Sequence, residues 1–277
     1  MSRLLHVNFS RMWKSRLFWG EMIGMFALGV LFVISALRMT QWDASGVGLD
    51  NVIPGYLTVI GVISALFCGV FCGTDYSDGT IRNKLIAGHT RLSIYLSNFI
   101  THAAGALLCC GAYFLAAILL GFPLLGGFRT AAGTLAIMLL GSTVTVLAFS
   151  ALFTLVSMLS QSRSTGVSIC LISFFVLFFA GMIVMQRLQE PEIFDAYSYM
   201  DEDGTMVQED AQPNPKYLTG TKRKFYEFLN DANPMGQMVQ YTNIEVENPG
   251  LLMLYSFGII ILSTAAGVVI FRKKDVK

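Results

Sequence analysis

Few side chains in this sequence could carry acid–base, nucleophilic or metal chemistry, and their spacing argues against an enzyme. The five cysteines, Cys68, Cys72, Cys109, Cys110 and Cys170, all fall inside apolar runs and none in a polar loop, so no disulfide framework is expected. Cys68 and Cys72 stand four apart on one helix face; buried small side chains account for them more simply than a metal or redox pair. No HExxH, no GxSxG and no paired Cys/His ligand set occurs. The dipeptide Gly-Lys is absent, which excludes a GxxxxGK[ST] phosphate cradle. No catalytic residue, no metal and no cofactor are therefore expected on this chain.

Two ionisable residues do lie within apolar stretches, where such groups are functional candidates by default. Glu21 sits about one turn inside the first stretch and is expected to reach back toward Arg16 or the headgroups. His102 sits about ten residues into the third, about 15 Å deep by helical rise. With Asn98 and Thr101 nearby, it reads either as a histidine hydrogen-bonded within a bundle or as a candidate for lining a substrate path. No acid lies at mid-depth, whereas proton- and sodium-coupled carriers usually rely on intramembrane Asp, Glu or His. The energy for any transport is expected to come from a partner.

The most informative polar stretch is 73–91, GTDYSDGTIRNKLIAGHTR. Asp78 or Thr80 can cap a short helix running to about Ala87, and Gly88 can end it. Ile81, Leu85 and Ile86 give that helix an apolar side, while Arg82 and Lys84 supply charge. A short amphipathic helix held at a membrane surface suits docking into a groove on a soluble partner. Ile81 and Leu85 are then the expected apolar anchors, and Arg82 or Lys84 the expected partners for acids on the rim.

The elements that position these residues follow from hydropathy. Apolar types make up 54% of the 277 residues and charged types 13%, about half the share usual in a soluble domain. Mean hydropathy is +0.60. Crossing the hydrocarbon core takes about 20 mostly apolar residues, and six stretches qualify: 17–37, 53–73, 92–121, 131–159, 167–185 and 251–271. Pro54 opens the second, where a missing N–H does no harm. Gly20 with Gly24 and Gly69 with Gly73 place small residues on one face of the first and second spans, a weak sign of close helix contact.

Lys and Arg in the short flanks set the orientation. The first sixteen residues, the 74–91 loop, the turn at Arg163 and the tail together carry twelve basic residues; the short loops on the other side carry only Arg38 and Arg129. Both termini are therefore expected in the cytoplasm. The segment 186–250 is then external, with five basic residues and twelve acids, a net charge of −7. Its acids include Asp201, Glu202, Asp203, Glu209 and Asp210. They either form a structured cap that attracts cationic solutes or keep a loop soluble. Within it, 221–230 can form a short helix ended by Asn233-Pro234. In 1–16, Leu5, Phe9, Met12 and Trp13 share one helical face and Arg3, Ser10, Arg11 and Lys14 another, the pattern of an interfacial amphipathic helix. The whole chain carries +1, which gives no argument for a nucleic-acid partner, and none is expected.

The run DYSDGTIRNKLIAGHTRLSIYLSNFI resembles the segment after the second span in permeases of the ATP-binding-cassette type-2 exporter family. An acidic residue there precedes Gly-Thr-Ile/Leu-Arg, a small-residue break and an Arg. Asp75 stands at the acidic position, where Glu is more frequent. Gly79, Thr80, Ile81, Arg82 and Lys84 match the core, Arg91 the later basic position, and Asn98 stands where Lys is frequent. The resemblance implies an all-α polytopic membrane protein: an interfacial helix at 1–16, spans one to five over 17–185 with a coupling helix at about 76–88, an acidic extracellular segment at 186–250, and a last span with a basic tail at 251–277. It implies a pathway made by two such chains, expected as a homodimer in the cell membrane, above separate cytosolic ATPases that bind ATP and Mg. The ATPase-contacting residues would be Asp75, Tyr76, Asp78, Gly79, Thr80, Ile81, Arg82, Lys84, Leu85 and Arg91. The substrate would be a peptide, bacteriocin or antibiotic-like amphiphile. An ion-coupled carrier, or a non-transporting scaffold or sensor with an acidic ectodomain, are the competing readings.

Overall fold

The computed structural model describes all residues except 43–46, 161, 201, 202, 204, 205, 245 and 275–277. Asp201, Glu202 and Lys277, counted above, lie outside the described residues, as does the side chain of Glu209. Helix α1 (Ser2–Lys14) precedes the first span, α2 (Arg16–Trp42). The second span begins as a short helix α3 (Leu49–Val52) and a 3-10 turn (Ile53–Tyr56) holding Pro54, then continues as α4 (Leu57–Ser77). Next come α5 (Thr80–Ile86) and the spans α6 (Arg91–Leu125), α7 (Ala132–Leu159) and α8 (Arg163–Leu188). Two short antiparallel pairings follow: β1 (Ile193–Phe194) with β4 (Gln212–Pro213), and β2 (Tyr197–Met200) with β3 (Met206–Glu209). Helices α9 (Gly220–Ala232) and α10 (Pro234–Thr242) lead into the last span, α11 (Pro249–Lys273). Among the described residues, six helices are long and apolar enough to cross a membrane. The protein is an all-α polytopic membrane protein.

The spans are not equivalent. Half or more of the apolar window of α4, α6 and α7 is buried, against about a fifth of α2, α8 and α11. The first three form the centre. Around them, α2 packs on α6, α8 on α4 and α11 on α7. The α4–α8 crossing is close because a Cβ on Gly69 or Gly73 would fall 2.7 Å from the Val167 Cα or 2.5 Å from the Arg163 Cα. Gly20 and Gly24 do not make the corresponding contact: no atom lies within 4 Å of a Cβ built on either.

The segment 186–250 is only partly peripheral. Asn233 ends α9 and caps α10 by accepting from the Met235 N–H at 3.0 Å, with Pro234 at the first turn of α10. Helix α10 then turns back into the bundle, where Pro234, Met235, Gly236, Gln237, Met238 and Tyr241 are buried. Thr145 of α7 donates to Gln237 Oε1 at 2.8 Å, and Ser256 of α11 donates to it at 2.5 Å. Thr145 is thirteen residues along α7, about 20 Å from its start. A re-entrant element at that depth needs its polar groups satisfied inside the protein, and Gln237 Nε2 contributes by donating to the Asp231 carbonyl at 2.7 Å.

Candidate functional site

The corner between α4 and α5 is set by two glycines. Gly79 takes φ +65° and starts α5 in the left-handed region; neither Asp78 nor Thr80 caps it with a side chain. Gly88, at φ +85°, ends it. The Gly88 N–H bonds the Leu85 carbonyl at 3.0 Å and the His89 N–H bonds that of Lys84 at 3.1 Å, the paired closure of a helix C-terminus that glycine makes without a Cβ penalty. Thr90 then caps α6 by accepting from the Ser93 N–H at 3.2 Å.

An ionic cluster fastens this corner to the bundle. Asp75, fully buried, is shared by two cations: Arg11 of α1 bonds Oδ1 and Lys84 of α5 bonds Oδ2 at 2.9 Å. The Arg11 guanidinium also stacks on the Phe71 ring at 3.6 Å and donates to the Phe71 carbonyl at 3.3 Å. Burial pushes Arg11 down to about 10 and Lys84 down to about 8, the Arg11 charge adding to the effect on Lys84.

From Lys84 a single-direction chain of hydrogen bonds runs into the bundle. Lys84 Nζ donates to Asn8 Oδ1 at 3.2 Å, Asn8 Nδ2 to Asn98 Oδ1 at 2.8 Å, and Asn98 Nδ2 to Cys72 Sγ at 3.7 Å. Cys72 lies 3.6 Å from His102 Nε2, and His102 Nδ1 lies 2.7 Å from Thr154 Oγ1. Thr154 donates its own proton to the Ser150 carbonyl at 2.6 Å. It therefore accepts from Nδ1–H, which leaves Nε2 to accept from the Cys72 thiol. Aligned donors of this kind polarise one another in a low-dielectric interior. With 1% exposure and both nitrogens engaged, His102 is a joint between α4, α6 and α7.

The other motif residues divide by the face they occupy. Tyr76 donates to the Met158 carbonyl at 2.7 Å, and Arg91 donates to the carbonyls of Phe271 and Lys274 at the end of α11. Ile81 is 1% exposed and packs with Leu4, Ile94 and Phe271. Two of the expected contacts with a partner, the Ile81 anchor and the Lys84 ion pair, are thus used within the chain. Leu85 is half-buried against the same cluster. The outward face of α5 and its cap carries Arg82, Asn83, Ile86 and Ala87, with Ile86 74% exposed.

Sequence reasoning missed Asn8, Arg11 and Lys274. Helix α1 docks on α6 through Leu4, Asn8 and Met12, while Leu5 and Phe9 are half-buried and Trp13 is exposed. The basic charge of Arg11 was read as headgroup-facing; its turn beside Met12 was the available signal. Lys274 donates to the carbonyls of Met158 and Ser160, closing the end of α7. Glu21 does not reach back to Arg16: both its carboxylate oxygens are buried without a hydrogen-bond partner among the described residues.

Comparison with protein families finds that residues 8–276 match the model described as ABC-2 family transporter protein. Comparison with curated proteins finds no match.

Proposed function

Because this chain belongs to the ABC-2 transporter family, and so is a membrane permease subunit of an ATP-binding-cassette transporter, we propose that it works as an exporter permease whose α5 receives the movement of a separate cytosolic ATPase. The observation that carries this reading is the division of α5. Ile81 and Lys84 clamp it to α1, α4 and α6, while Arg82, Asn83 and Ile86 face outward and are exposed. A push on the outer face therefore moves Asp75 and the hydrogen-bond chain behind it, rather than bending a free loop. The ATPase binds ATP and Mg, and this chain hydrolyses none.

The end that carries α1, α5 and Lys274 faces the cytoplasm of a cell membrane in this reading, supported by the asymmetry of Lys and Arg. A second copy completes the pathway. The acidic segment around β1–β4 favours a cationic peptide, bacteriocin or antibiotic-like amphiphile as substrate, by long-range attraction at the exit. Orientation is tested by cysteine substitution in intact cells. An impermeant thiol reagent labels Ser198→Cys and not Ser77→Cys; the reverse pattern overturns the export geometry. ATPase activity of the purified chain without a partner would overturn the division of labour.

A further inference from the structure

A groove of about 240 Å³ opens between α1 and α4, where α1 passes into α2. Its polar lining is Arg11, Lys14, Ser15 and Thr74, and its apolar wall is Leu17, Phe67, Val70 and Phe71. The two halves are ordered along the bundle. Lys14, Ser15 and Thr74 lie at the ends of α1 and α4 and Leu17 in the first turn of α2, whereas Phe67 and Val70 lie one to two turns further into α4. Trp13 and Trp19 are exposed beside it, packed 5.6 Å apart, at the depth where indole rings mark a membrane–water boundary. The groove thus has a cationic mouth at headgroup level and an apolar floor at acyl level.

The charge at that mouth is only partly offset within the chain, since Asp78 acts on Arg11 without pairing it directly. Arg11 and Lys84 share one carboxylate, Asp75, leaving one positive charge over; Lys14 has no acidic partner among the described residues and is exposed. Ser15 Oγ accepts from the Phe18 N–H at 3.4 Å, so its own proton is available to an incoming oxygen. Thr74 donates to the Val70 carbonyl and can only accept.

We infer that this groove binds one anionic phospholipid, its phosphate between Lys14, Ser15 and the outer edge of Arg11 and an acyl chain along Leu17, Phe67 and Val70. A zwitterionic lipid fits the apolar wall but brings its own cation to a mouth that already holds excess positive charge. Arg11 touches both the groove and Asp75, so the bound headgroup contacts the same guanidinium that fastens the α4–α5 corner. The inference does not depend on export, substrate or orientation.

The test uses the purified full chain carrying Trp42→Phe, so that Trp13 and Trp19 report alone. It is reconstituted in phosphatidylcholine vesicles containing dibrominated phosphatidylglycerol or dibrominated phosphatidylcholine. Bromine quenching gives the relative binding of the two lipids beside the groove. The expected preference for the anionic lipid is about fivefold or more, the worth of one cation near an anionic headgroup. Lys14→Gln lowers it about fivefold. Val70→Phe fills the groove without changing charge and removes the preference, while Arg3→Gln, the same charge change elsewhere on α1, preserves it. Equal quenching by both lipids in the parent protein overturns the inference. So does a preference that survives Val70→Phe, or that falls equally with Arg3→Gln, since either indicates diffuse surface attraction. Loss of the preference when inorganic phosphate is added at matched ionic strength indicates a small-anion site and also overturns it.

Discussion

At one end of the bundle the buried polar groups are ions: Asp75 is held between Arg11 and Lys84, and Asn8 and Asn98 extend the cluster inward. Where α10 re-enters the bundle they are neutral: Gln237 accepts from Thr145 and Ser256 and donates to the Asp231 carbonyl. Both arrangements hold a short helix, α5 or α10, against longer ones. They differ in how easily they can be disturbed. A neutral amide in its own triad has nothing to exchange with. An ion cluster with one charge in excess, one turn from the surface, responds to any partner that brings charge. The first arrangement suits a fixed brace and the second a joint that has to move.

The comparison breaks most sharply at Asp75. Asp75→Ala leaves two buried cations without a counter-charge, and opening such a cluster costs about 3–5 kcal/mol. The expected result is a large fall in the thermal unfolding midpoint of the detergent-purified protein. Asp75→Asn combined with Lys84→Met removes one charge of each sign and recovers much of that loss. If the double variant is as unstable as Asp75→Ala, the cluster is held by something other than charge.

Gly73→Leu comes next. Its Cβ would fall 2.5 Å from the Arg163 Cα, and overpacking of this kind costs about 1–3 kcal/mol; the same midpoint measures it. Gln237→Leu in the neutral triad removes two acceptor contacts inside the bundle. Hydrogen bonds between membrane helices average about 0.6 kcal/mol with a maximum near 1.7, so a fall distinctly smaller than for Asp75→Ala is expected. A larger fall would reverse the assignment of brace and joint. Gly20→Leu, on a face with nothing within 4 Å, should leave the midpoint of the single chain unchanged.

The six spans were legible because lipid leaves little choice: a helix long enough to cross must be apolar along its length. The end of α5 was legible from Gly88, which permits the positive φ found there, whereas its start is made by Gly79 at positive φ and not by the side-chain cap expected from Asp78 or Thr80. Which face of α5 turns inward was not legible either, because it depends on the carboxylate nine positions earlier that draws Lys84 in. Apolar periodicity made Ile81 and Leu85 look like an exposed stripe, yet Ile81 belongs to the chain's own core. Helix α1 shows the same limit. Apolarity groups Leu5, Phe9, Met12 and Trp13 on one face of an interfacial helix, but Asn8 and Arg11 decide the docking through partners 90 and 64 positions away. The return of α10 into the bundle was hidden for a related reason. Nine residues are too few to span, and the partners of Gln237 lie 92 and 19 positions off.

The central claim is that the outward face of α5 meets the ATPase while its inward face belongs to the permease. A photo-cross-linking amino acid at position 86, introduced into the full chain and co-expressed with the partner ATPase, tests it most directly, with the same residue at position 128 on the opposite end as the reference. The account predicts an adduct with the ATPase from position 86 and none from position 128. It also predicts that Arg82→Glu with Ile86→Ala abolishes co-purification of the ATPase while leaving the unfolding midpoint unchanged. An ATPase that fails to cross-link at 86, or that co-purifies and is stimulated normally with the double variant, would contradict it.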